Sequence, residues 1–323
     1  SLNKRNMKKL IELMSKFGAQ FKPKNKFNFP LKLISSEMPI AIKYSAGVSA
    51  QLKSAVIFAA LNSYGNTEVI EQEISRDHTE KMLMNNAQTI KINKREKKII
   101  KIIGKNNISP VNINVPGDPS SAAFFTALTL LNKNSAIKIK NVGLNPTRIG
   151  FYELLKKQGA NIKFNNLRKE NNELRGDIFV KSSKIKPIKA SKKYYVKSTD
   201  EYPILFIIAA LTKGISTFKG IGDLANKESN RIKEMQKILK QVDIKSVSSG
   251  NELKIFGKEK IDIKGKKIIV PNLGDHRICM SSFVLSILLG SKILIKNFET
   301  VYTSSPSFLK IMKLLGVKFE IRK

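Results

Sequence analysis

The chain has 323 residues, 41% of them hydrophobic, and 59 Lys and Arg against 25 Asp and Glu give it a formal net charge of +34. That length exceeds what one hydrophobic core usually supports and the apolar share is that of a globular protein, so a short peptide scaffold and a disordered chain are excluded and two domains are expected. One cysteine and two histidines exclude an internal disulfide and a cysteine-based zinc site.

The first segment, residues 1–18, has an amphipathic helix pattern without the continuous apolar core of a secretion signal, and no apolar run reaches about 18 residues. The chain therefore reads as soluble and cytoplasmic, in a reducing compartment. A recurring helix end followed by a strand then appears at 16–22 (KFGAQFK), 85–92 (NNAQTIKI), 157–164 (KQGANIKF), 240–247 (KQVDIKSV) and 314–321 (LLGVKFEI). Upstream in each complete unit the order is a short strand, an apolar helix, a β-rich segment and a more amphipathic helix, then strands, so the repeating unit is βαβαββ. The apolar helices are expected at 49–63, 119–132, 200–214 and 276–290; being hydrophobic around most of their circumference, they belong inside a bundle. The second helices are expected to start at Ser75–Asp77, at Asn145–Pro146, at Asn226–Glu228 and at Ser304–Pro306. Strands such as TEVIEQEI, SAIKIKNVG and KILIKNFE alternate apolar and charged residues, with one face toward helices and one toward water. The first copy lacks its front half, and a lobe boundary is expected in the loop VPGDPSS, dividing the chain into 1–116 and 117–323.

The basic balance favours anionic partners. Lysines spread over almost every segment, 7% aromatics and no Trp argue against a nucleic-acid partner, and no membrane partner is expected. Polar residues outside the periodicity concentrate at helix starts, where unpaired N–H groups and the positive dipole end suit an anion. Ser49, Ala50 and Gln51 open one apolar helix, Ser120 and Ser121 the next, Asp200 and Glu201 the third, and Asp275, His276 and Arg277 the fourth. Ser, Asp and Asn at such positions are also ordinary caps, so each alone says little. Arginine discriminates better: of only nine, Arg5, Arg76, Arg148, Arg231 and Arg277 lie at or near helix starts, the residue type suited to bidentate carboxylate and phosphate contacts. Asp200 and Glu228, set among these cations, fit a general acid or base, with a solvated helix face as the lesser reading of Lys227, Glu228 and Arg231.

SAQLKSA (49–55), SRDHTEKML (75–83), PGDPSSAAFF (116–125), STDEYPIL (198–205), NKESNRI (226–232), GDHRICM (274–280) and TSSPSFLKIM (303–312) together resemble the 5-enolpyruvylshikimate-3-phosphate synthase family, in its order and over nearly the whole chain. The resemblance implies an α/β fold of two lobes built from βαβαββ units around buried helices, with an interlobe cleft and the first lobe incomplete. It implies transfer of the enolpyruvyl group of phosphoenolpyruvate to the 5-hydroxyl of shikimate 3-phosphate, with no metal or organic cofactor and no partner subunit, so a monomer is expected. Matched residue by residue, Ser49, Ala50 and Gln51 resemble the shikimate 3-phosphate loop, assisted by Ser75 and Arg76. Asp200 resembles the base at the reacting hydroxyl, Lys227 the lysine bridging both substrates, and Glu228 the carboxylate implicated in proton transfer at the enol carbon. Arg5, Arg231 and Arg277, with Gln51, resemble the phosphoenolpyruvate site.

The chain departs from the family pattern at Asn6, Asn230 and Thr303, where Pro, Asp and, in some members, Lys are usual. A Lys-Ser pair with its following Arg and an Asn-Ala-Gly/Ala loop would precede Ser1, so the chain as written is expected to turn over little and to leave one sheet edge unpaired. Two other readings stay open: the related transferase acting on UDP-N-acetylglucosamine, and a noncatalytic basic binding module on the same scaffold.

Overall fold

The computed structural model describes residues 5–94, 96–263 and 267–322. Two compact units result, Ser1–Val115 with Lys169–Leu174, and Pro116–Arg168 with Arg175–Lys323. Among the described residues no helix is long and apolar enough to cross a membrane.

Unit 1 begins with α1 (Lys8–Ser15), β1 (Gln20–Lys22) and β2 (Lys32–Ile34), the last two an antiparallel pair. A full repeat follows: β3 (Lys43–Ala46), α2 (Ala50–Leu61), β4 (Asn66–Glu71), α3 (His78–Leu83), β5 (Ile90–Lys94) and β6 (Lys98–Ile103). Its sheet runs β3-β4-β6-β5, with β3 parallel to β4 and the other pairs antiparallel. The parallel pair follows from the crossover through α2, and the antiparallel ones from the closing β5–β6 hairpin. Val56, Ile57 and Ala60 of α2 pack with Leu13, Phe17, Val69, Leu83, Ile100 and Ile102 into the core of this unit.

Unit 2 repeats the plan. Its elements are α4 (Pro119–Leu131), β7 (Ala136–Gly143), α5 (Gly150–Lys157), β8 (Asn161–Glu170) and β9 (Glu173–Lys181), then β10 (Lys189–Ala190), α6 (Lys192–Ser198), α7 (Tyr202–Ala210), β11 (Gly214–Lys219), α8 (Arg231–Gln241), β12 (Ser246–Ser249) and β13 (Glu252–Gly257), and last β14 (Lys267–Val270), α9 (His276–Leu289), β15 (Lys292–Ile295) and α10 (Phe308–Leu314). The order β10-β11-β13-β12 reproduces that of unit 1, as do the shorter β7-β9-β8, extended by a parallel bridge from Gly117 to Val142, and the parallel pair β14-β15. Helices α4, α7 and α9 pack against one another, and every residue of α7 is buried, as a helix without a polar face must be. Phe124 and Phe125 of α4, Phe283 of α9 and Phe308 of α10 interlock edge to face or tilted.

Four of the five recurring sequence segments are helix stops of one kind; at 85–92 no residue takes a positive φ, and among the described residues no strand follows Gly316 as expected for 314–321. Gly18, Gly159 and Gly316 have φ of +93°, +96° and +85°, and the next residue donates its N–H five residues back: Ala19 to Met14, Ala160 to Leu155, Val317 to Met312. This is the Schellman closure, in which a left-handed residue satisfies orphan carbonyls. Asp243, with φ +55°, fills the same place after α8, where Ile244 bonds Leu239. The apolar helices end differently. The backbone N–H of Lys105 bonds the carbonyl of Leu61, that of Ser183 bonds Leu130, and that of Lys258 bonds Ala210, so in three repeats the chain leaving the last strand caps the buried helix.

Helix boundaries differ from expectation in three ways. The third apolar helix is not a single run over 200–214: α6 leads through a 3₁₀ turn at Thr199–Glu201 into α7, so Asp200 and Glu201 lie within a continuous helical path and not at a free start. The second helices begin later than expected, at His78, Gly150, Arg231 and Phe308, because capping and turn residues precede them. The cap of α4 is Asp118, whose carboxylate accepts from the N–H groups of Ser120 and Ser121.

Candidate active site

In unit 1 the start of α2 is built by Ser49, extended in backbone, whose hydroxyl accepts from the N–H of Leu52 at 3.3 Å. Ser49 and Gln51 are exposed and Ala50 half-buried, which leaves the positive end of a twelve-residue helix accessible. Ser75 is fully buried; its N–H and hydroxyl both go to Oε1 of Glu71, at 3.1 and 2.7 Å. Arg76 follows it, half-buried, just before α3. Arg5 is half-buried ahead of α1.

In unit 2 one ion network joins four segments. Arg231, at the first position of α8 and 1% exposed, sets Nε 2.9 Å from Oδ2 of Asp275, Nη2 2.7 Å from Oε2 of Glu228 and Nη1 3.8 Å from Oδ1 of Asp200. Asp275 caps α9 through the N–H of Arg277 and also accepts from the Ser229 hydroxyl. Asp200 stands 3.8 Å from Arg148, which in turn reaches Asp118 at 2.9 Å and Glu201 at 3.3 Å. Glu201 takes a short hydrogen bond from the Ser120 hydroxyl. Lys227 lies to one side, its Nζ 2.6 Å from Asp223, a carboxylate shared with the Tyr195 hydroxyl. The network thus joins Asp200, Glu228 and Arg231, and Asp275 ties them to the start of the helix that carries Arg277.

Arg277 behaves differently from Arg231. The residue is 9% exposed, and its Nε and Nη1 have no hydrogen-bond partner among the described residues. A buried charge left without acceptors is costly, and it is relieved when an anion supplies them. Burial raises the Glu201 carboxyl, with Asp200 adding to it and Arg148 opposing. Burial would raise Asp275 too, but Arg231 outweighs it and holds that carboxyl below its ordinary value. His276 is pushed down to about 4, by burial first and by the charge of Arg277 second.

The sequence reading places Arg148, Glu201 and Asp275 at helix starts without assigning them a role; the structure makes them the supports of the network. Asp275 carried the clearest signal, an acid immediately before the first turn of an apolar helix that holds an arginine.

Comparison with known proteins agrees with this architecture. The EPSP synthase (3-phosphoshikimate 1-carboxyvinyltransferase) family model matches residues 1–312. A 3-phosphoshikimate 1-carboxyvinyltransferase of Paramagnetospirillum magneticum is 35% identical over 98% of this chain and 72% of its own length. The solved EPSP synthase of Acinetobacter baumannii superposes with a TM-score of 0.83 at 33% identity, covering 100% of this chain and 73% of that one. The enolpyruvyl transferase NikO of Streptomyces tendae shares the fold at 11% identity, with a TM-score of 0.71 over 96% of this chain and 71% of its own. On the family match, the relative's identity and the common fold, the chain belongs to the EPSP synthase family of transferases.

Proposed function

We propose that the chain binds shikimate 3-phosphate and phosphoenolpyruvate and carries residues for transfer of the enolpyruvyl group of the second to the 5-hydroxyl of the first. The observation that carries this reading is the buried Arg277, two of whose guanidinium nitrogens lack a hydrogen-bond partner among the described residues, on the helix whose cap, Asp275, is bonded to Arg231. Such a group fits the carboxylate or phosphate of phosphoenolpyruvate. The accessible start of α2, with Ser49, Ala50 and Gln51, suits the phosphate of shikimate 3-phosphate, and Arg76 adds to it from the turn that Ser75, buried and bonded to Glu71 through both polar hydrogens, supports. Arg5 and Gln51 add contacts to phosphoenolpyruvate.

The chemistry needs a base and an acid. Asp200 accepts the proton of the 5-hydroxyl as its oxygen attacks C2 of phosphoenolpyruvate, and Glu228 delivers a proton to C3, giving a tetrahedral adduct. Glu228 takes the C3 proton back as phosphate leaves and the double bond re-forms, and the hydroxyl proton held by Asp200 passes to the departing phosphate, so protons and charge balance over the cycle. Lys227 leaves Asp223 to bridge the two ligands. Acid, base and cationic side chains suffice for these steps, and the reading calls for no cofactor. We read units 1 and 2 as the two lobes of the family fold, and the chain as a cytoplasmic monomer acting on small anions, with no nucleic-acid or membrane partner.

Isothermal titration with shikimate 3-phosphate, phosphoenolpyruvate and UDP-N-acetylglucosamine tests the reading. Saturable binding of the first two and none of the third is expected; binding of the nucleotide sugar in place of shikimate 3-phosphate would overturn it.

A further inference from the structure

Unit 1 holds a closed ring of four charged side chains that the chemistry above leaves unused. Lys53, 0% exposed, sets Nζ 2.9 Å from Oε1 of Glu71 and 2.8 Å from Oε1 of Glu80. Lys98 Nζ lies 2.7 Å from Oε2 of Glu71 and 2.7 Å from Oε1 of Glu80. Two cations and two carboxylates cancel, so no net charge is buried. Burial would raise Glu71, yet hydrogen bonds from Lys98, Lys53 and Ser75 hold it below its ordinary value; burial would lower Lys98, yet the two carboxylates raise it. Replacing such a ring with apolar side chains is often neutral or stabilising, so stability alone gives little reason for it, whereas directional bonds fix geometry.

What the ring fixes is specific. Lys53 belongs to the first turn of α2, two residues after Gln51; Glu80 belongs to α3. Glu71 ends β4 and takes both polar hydrogens of Ser75, the residue before Arg76. The ring therefore ties the Ser49–Gln51 helix start to the turn that carries Arg76. We propose that Glu71, itself held by Lys53 and Lys98, is a positioning residue for shikimate 3-phosphate that keeps the Ser75–Arg76 turn in register with the start of α2, while Glu80 completes the charge balance of the ring. The inference rests on the ligand assignment made above for those two segments.

Two double variants separate positioning from general support. Lys53→Met with Glu71→Met, and Lys53→Met with Glu80→Met, each remove one cation and one anion; only the first also removes the anchor of Ser75. Calorimetric titration with shikimate 3-phosphate is expected to show binding weakened about tenfold in the first and by less than about threefold in the second, at similar melting temperatures. Equal affinities in the two would overturn the inference. Should either fail to fold, Glu71→Asp and Glu80→Asp keep every charge and shorten one arm each, and only the former is expected to weaken binding. Arg76→Ala is the control. If it binds as tightly as the parent chain, the ligand assignment fails and takes the inference with it; if it alone loses binding, the assignment stands and the ring is scaffold only.

Discussion

Arg231 and Asp275 form a buried pair with a double duty: the carboxylate that sits 2.9 Å from the guanidinium Nε also caps α9 through the N–H of Arg277. Truncating one partner of a buried pair strands the other, so Asp275→Ala is expected to cost about 3–5 kcal/mol of folding stability. Chemical denaturation would read the loss; a change under about 1 kcal/mol, the usual worth of an exposed pair, would show that Arg231 finds other partners.

Arg277→Gln should behave in the opposite way. Its Nε and Nη1 have no acceptor to lose, so the melting temperature is expected to hold or rise while affinity for phosphoenolpyruvate falls about a hundredfold. Thermal melts beside calorimetric titration check both halves. A large loss of stability with affinity intact would mean that this side chain serves the core.

The third expectation concerns acid. His276 titrates at about 4 in the fold against an ordinary 6.5, so between those values the unfolded chain binds more protons and stability declines as pH drops. Discounted for partial exposure, the decline amounts to about 2 kcal/mol. The Asp275 contribution runs lower, present above its unfolded value of 3.8 and lost as pH falls through its depressed folded one. Urea titrations from pH 7 to about 4 on the parent and on His276→Asn should show a flatter profile in the variant.

Asp243→Gly offers a gain. The equivalent stops use Gly18, Gly159 and Gly316, whereas Asp243 holds φ +55° with a Cβ. Relief of that strain is expected to stabilise by about 0.5–1 kcal/mol. A lower melting temperature would show that the aspartate side chain contributes more than its backbone costs.

The repeat was legible because four copies end a helix in the same manner, three of them with a left-handed glycine that leaves a mark in the sequence. The buried helices were legible because they lack a polar face. Helix starts were less so: Asp200 reads like a cap, yet α6 runs into α7 there, and only the preceding turn shows it. Arg231 and Arg277 look alike as arginines near helix starts; that one bonds Asp275 and Glu228, while Nε and Nη1 of the other find no hydrogen-bond partner among the described residues, depends on side chains distant in sequence. Lys53 carried a fainter signal, a single charge inside an apolar helix, which demanded a buried acid without saying which.

The bonds from residues 105, 183 and 258 to the ends of α2, α4 and α7 are made by main-chain amides. Nothing in them depends on side-chain identity, and a lysine, a serine and a lysine serve equally. At 183 and 258 any residue that keeps its amide hydrogen will serve, proline being barred, whereas Lys105 holds φ +60° and that position also disfavours β-branched residues. The internal likeness of the copies therefore outlasts resemblance in letters at these joints, and comparing such joints in other chains would reveal kinship that letter matching overlooks.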